Sequence, residues 1–145
     1  MKANLAISLA VGLFMFTQTA TSAGPQRISS FTGSAKGEGT LTVNNENYKI
    51  TGIWVKLEQN GEAEMVLYTD MQLFVKGQWS ASDDRPKEIP LKITGGVVEG
   101  NATGTGTLLL RSDGKSIDEL SFQARSTTNR KVAVKFVADK EKNSQ

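Results

Sequence analysis

The sequence predicts an all-β fold: a small antiparallel up-and-down barrel, with a two-sheet sandwich as the alternative. Three observations predict it. After the first 23 residues no apolar pattern recurs at helical spacing; residues alternate inward and outward between turn signals, with many β-branched side chains. A glycine-spaced phrase occurs twice, FTGSAKGEGTL at 31–41 and VEGNATGTGTL at 98–108. The glycines of both phrases fall on the inward face of long strands, which suits a sheet coiled tightly enough to close on itself.

Residues 1–23 read as an export signal. Lys2 supplies the positive start, Leu5 to Phe16 the apolar stretch, and Thr19 to Ala23 a run of small residues with cleavage expected after Ala23. The remainder, 24–145, has the length of one domain and enough chain to bury a core without staples. It contains no Cys, which for an exported chain points to a bacterial periplasm or culture medium.

In the first phrase Gly33, Ala35, Gly37, Gly39, Leu41 and Val43 share the inward face, while Ser34, Lys36, Glu38 and Thr40 face water. In the second, Gly100, Ala102, Gly104, Gly106, Leu108 and Leu110 lie inward opposite Thr103, Thr105 and Thr107. The same offset carries Ile50 onto Ile117. It defines repeat units of about 31–69 and 98–138, and residues 31–57 are expected to superpose on 98–124.

Turns can be tested by register, since opposed residues share a face. Asp113-Gly114 pairs Leu110 with Ile117, and Gly95-Gly96 pairs Ile93 with Val98. A three-residue loop, Gln59-Asn60-Gly61, pairs Leu57 with Ala63, Val55 with Met65 and Ile53 with Leu67. The alternation slips by one after Ile50 and after Ile117, which predicts bulges at Thr51-Gly52 and Asp118-Glu119. From Ala63 to Trp79 the inward residues stay in phase with no clear turn. That stretch is one bent strand or two strands meeting near Asp70, so the count is seven or eight. Residues 81–87 form a polar loop and 139–145 a charged tail.

Seventeen basic and fifteen acidic residues leave little net charge, but the two repeat units carry opposite signs. Lys36, Lys49 and Lys56 are outnumbered by acids in the first; Arg125, Arg130, Lys131 and Lys135 outnumber them in the second. Such a polarity is either two solvated faces or an axis for weak self-association. With no His and no Cys, the chain lacks the means for Ser-His-Asp or Cys-His catalysis, the usual zinc sites and thiol redox chemistry. Ser112-Asp113-Gly114-Lys115 spells a Ser-x-x-Lys motif, but on a hairpin turn rather than the helical turn that would bring Lys beside Ser. Gly37-x-Gly39 and Gly104-x-Gly106 precede no helix, so they are not phosphate loops. Asp83-Asp84 has no calcium-ligand spacing around it, and Glu58, Glu62 and Glu64 lie outward around one hairpin as solubilising charge. No cofactor or metal site is expected. Basic residues without interleaved aromatics argue against nucleic acid, and no later segment is apolar enough to span a membrane.

Two groups of residues could bind something. Trp54, Val66 and Tyr68 come out together on the outer face and form a candidate surface patch. Trp79, with Gly37, Gly39, Gly104 and Gly106, faces inward; there aromatic cover, a close neighbouring strand or a ligand must fill the space the glycines leave. The segments Gly52-x-Trp54 and Gly77-x-Trp79 have the Gly-x-Trp spelling of lipocalin and avidin-like barrels, and Ile50 to Trp54 resembles their strand over five residues. That resemblance implies barrel geometry and, as an alternative function, carriage of a small apolar ligand. The expectation is an exported, non-catalytic binding or interaction protein, periplasmic or secreted. Inhibition of a secreted enzyme is the third reading.

Overall fold

The computed structural model describes residues 30–81, 87–97 and 101–140; the expected export signal at 1–23, residues 98–100 of the expected Ile93–Val98 hairpin, most of the 81–87 loop and most of the 139–145 tail lie outside them. Eight strands follow in order: β1 (Phe31–Val43), β2 (Glu46–Leu57), β3 (Glu62–Tyr68), β4 (Gln72–Trp79), β5 (Glu88–Gly96), β6 (Thr103–Leu110), β7 (Ile117–Arg125) and β8 (Lys131–Ala138). Each pairs antiparallel with the next, and β8 returns to β1 to close the barrel. Of the two architectures, the barrel is the one formed. The 13-residue β1 pairs with β2 along its length and with β8 from Gly37 to Val43.

Alternation decides what lies inside. Ile50, Ile53, Leu67, Leu120 and Phe136 are fully buried and belong to one contiguous core. Between the inward residues of β1, β5 and β6 stand exposed polar ones such as Thr40, Lys92 and Thr105. An apolar interior with a polar exterior is the reverse of a transmembrane barrel.

The loop at 59–61 is as the register requires. Leu57 pairs with Ala63, Val55 with Met65 and Ile53 with Leu67. Gly61 takes φ +95° and its N–H donates to Glu58 O at 2.9 Å. The stretch from Ala63 to Trp79 is two strands, reversed at Thr69–Met71 with Tyr68 opposite Gln72. Leu110 pairs with Ile117, but the reversal between them is wider than two residues: Arg111 N–H donates to Ser116 O at 2.8 Å around Ser112–Lys115. The Gly95-Gly96 turn is not formed. Gly95 and Gly96 lie within β5, opposite Lys76 and Val75, Ile93 faces Gly104, and Ala102 N–H donates to Gly96 O at 3.4 Å.

Register shifts stand at both expected places. In the first hairpin Gly37 and Glu38 together oppose Thr51, so the extra residue belongs to β1 rather than to β2. In the other, Asp118 is the extra residue on β7. The two repeat units are nevertheless not copies in space. Gly39 pairs with Ile50, whereas their counterparts separate: Gly106 pairs with Phe122 and Ile117 with Leu110. The reason is local. β1 and β2 reverse at Asn44-Asn45, where both residues take positive φ (50° and 75°), and Asn tolerates that conformation. Arg111 and Ser112 stand at the equivalent positions without it, and the chain runs on to Gly114 at φ +69° before turning back. The repeated phrase therefore specifies glycine placement and not strand pairing.

Those glycines bring strands together. A Cβ at Gly39 would strike Lys135 O and lie 2.8 Å from Phe136 Cα; one at Gly104 would strike Gln123 O and lie 2.6 Å from Ala124 Cα. β1 can lie this close to β8, and β6 to β7, only because those positions carry no side chain.

Candidate functional site

Pairing sets outward side chains in rows across the strands. One row runs Trp54, Val66, Phe74 over β2, β3 and β4. Tyr68 lies diagonal to Trp54, because its own partner is Gly52; a Cβ there would make only ordinary contact with the Tyr68 ring, at 3.7 Å. Val66 faces outward yet is only 7% exposed, wedged between larger neighbours in its row. Phe74 is 63% exposed, and Met71, in the β3–β4 turn, 64%. The next row, Lys56, Glu64 and Lys76, borders the patch with charge.

Trp54, Val66 and Tyr68 thus come together as their register requires. The sequence reading missed Phe74, and it set Met71 in phase with the inward residues, whereas in the β3–β4 turn that side chain is exposed. Phe74 has outward parity, but without a fixed turn near Asp70 nothing placed it beside Val66. With Tyr68 opposite Gln72, Phe74 follows.

The inward group is arranged differently. The nearest side-chain atoms to a Cβ at Gly37 belong to the Phe136 ring, at 2.9 Å; Gly106 abuts Phe122 Cβ. Trp79 is not the cover. It sits partly buried against the core, donating Nε1–H to Glu58 O at 2.7 Å, while its backbone N–H donates to Gly61 O at 2.9 Å. Its role is to fasten β4 to the loop between β2 and β3. Aromatic rings and adjacent backbone lie directly against these inward glycines.

Two exposed groups have shifted acidities. Asp113 accepts from Lys115 N–H at 2.7 Å and from the Ser116 hydroxyl and N–H at 3.0 Å, which holds its carboxyl below the usual range. The Tyr48 hydroxyl donates to Glu46 Oε1 at 2.9 Å, and that bond, with the carboxylate's charge, raises its phenol. Each shift has a cause in its own turn or strand end, and the two groups belong to different hairpins. Among the described residues no three His, Cys, Asp or Glu side chains converge as metal ligands would, and no helix is long and apolar enough to cross a membrane.

No family model, no curated protein and no solved structure matches the chain.

Proposed function

We propose that this chain is an exported, non-catalytic interaction module that engages a protein partner through the outer face of β2, β3 and β4. The observation that carries this reading is the row Trp54–Val66–Phe74, flanked by Tyr68 and Met71: aromatic and sulfur side chains grouped on one outer face of the barrel. Large exposed apolar side chains cost solubility, and contiguous ones mark contact surfaces. Trp and Tyr are the residues that most often dominate binding energy. The Lys56–Glu64–Lys76 row supplies a charged rim.

The other readings have less behind them. A carrier needs an interior space, and Phe136, Phe122 and the coiled strands take up the glycine-lined region. An inhibitor of a secreted enzyme would be one case of the proposed module.

The test is site-specific photo-crosslinking in the producing cell. A photo-reactive residue at position 74 is expected to give a discrete protein adduct, one that is absent when the same residue stands at position 94 on the outer face of β5. The same adducts from both positions, or none from 74, would overturn the proposal. Once a partner is in hand, Trp54→Ala is expected to weaken binding by about 1–2 kcal/mol or more, with fold stability nearly unchanged.

A further inference from the structure

Barrel closure creates a second surface far along the sheet from the apolar patch. The outward rows of β6, β7, β8 and β1 meet here. One row reads Thr105, Gln123, Ala133, Thr42; the next reads Thr107, Ser121, Lys135, Thr40. A third ends the sheet with Thr103, Arg125 and Lys131. Short side chains in the middle and long ones at the rim hollow the surface. Two adjoining depressions of about 600 and 570 Å³ share Thr42, Thr105, Gln123 and Ala133.

The charge is one-sided. Arg125, Lys131 and Lys135 line the groove, against a single acid, Glu119, at one end. Neither Lys131 nor Lys135 forms an ion pair among the described residues, and the side chains of Thr40, Thr105, Ser121 and Gln123 have no hydrogen-bond partner among them. Lys131 and Lys135 lie four residues apart on β8, a separation of roughly 13 Å at strand rise, so the cations are spread along the groove rather than gathered around one small anion.

We propose that this groove binds an acidic polysaccharide in extended form. The spread cations pair with carboxylates along the chain, and the hydroxyls and amides between them hydrogen-bond sugar hydroxyls. Nucleic acid fits less well, because single strands need aromatic platforms in the groove and Trp54, Tyr68 and Phe74 lie on β2, β3 and β4. An acidic peptide would use the cations but offers the hydroxyls and amides only one backbone donor and one acceptor per residue, fewer than the several hydroxyls of each sugar. The proposal is independent of the apolar patch.

Polygalacturonate is the probe, titrated into the mature chain by calorimetry, with polyglutamate and single-stranded DNA as comparisons. Binding is expected at low salt and its loss by about 0.5 M, where the screening length is only a few ångströms. Lys131→Glu with Lys135→Glu should weaken it by about tenfold or more. Lys56→Glu with Lys76→Glu makes the same charge change on the opposite face and should leave it within about twofold. Gln123→Leu, which alters no charge, should weaken polygalacturonate and spare polyglutamate. No binding, equal weakening by the two double variants, or tighter binding of polyglutamate or DNA would each overturn the proposal. Thermal melts establish that every variant is folded.

Discussion

Gly104 and Gly114 are glycines for different physical reasons, and substitution should separate them. Gly104 lies where β6 touches β7, so any Cβ meets the Gln123 carbonyl and the Ala124 backbone rather than a side chain that could swing away. Gly104→Val is expected to cost more than the roughly 1–3 kcal/mol of ordinary overpacking, measured by urea unfolding. Gly114 has nothing within 4 Å of the added atom but a φ of +69°. Gly114→Ala should therefore cost only the conformational penalty, about 1–2 kcal/mol. One position over, Asp113 gives a pH signature. Its carboxyl is held below the ordinary aspartate value of about 3.9 by the Lys115 N–H and the Ser116 hydroxyl. A depressed pKa stabilises the fold above that ordinary value, and the contribution is lost as pH falls through the folded pKa. The melting temperature of Asp113→Ala should lie below that of the parent chain at neutral pH, and the gap should close as pH falls below the ordinary aspartate range and through the depressed folded value. A gap independent of pH would mean the carboxylate's charge plays no part.

At the scale of the strand pair, the loop at 59–61 shows what a chain can specify locally. Three cross-strand pairs and one left-handed glycine follow from a single demand, that inward residues face inward residues. Trp79 reinforces that loop through its bond to Glu58 O. Trp79→Phe keeps the ring and removes the donor, and should destabilise the barrel by about 0.5–1.5 kcal/mol, seen as a lower urea midpoint at constant slope. Other hairpins were legible only in part. The bulge opposite Thr51 was marked by a slip in alternation, but alternation does not say which strand holds the extra residue, and it is Gly37-Glu38 of β1 that doubles up. The Asn44-Asn45 reversal has a sequence signal in the side chains that tolerate positive φ. Read from that signal, the first hairpin separates in register from the second, and the repeat no longer implies superposition. The patch was legible through Trp54, Val66 and Tyr68; Phe74 was not, because its place depends on the turn at Thr69–Met71, where Asp70 marks a reversal but no Gly or Asn-Gly fixes its length.

For the whole molecule, alternation tells each side chain whether it faces in or out but not which strand lies on its far side. The joining of β8 to β1 sets Ala133 beside Thr42 and Lys135 beside Thr40, across more than ninety residues of chain. No periodicity records that neighbourhood, which is why the basic groove emerges only once the barrel is closed. Closure also fills the interior. Ile53, Leu67, Leu120 and Phe136 meet there as fully buried side chains of one contiguous core. The central claim is that this barrel binds from its outer surface and not from within. Methyl NMR during titration with decanol, a small apolar probe, tests it most directly. The account predicts shifts at the outer methyls of Val66 while Ile53, Leu67 and Leu120 stay in place. Shifts at those three core residues, with Val66 unmoved, would contradict it.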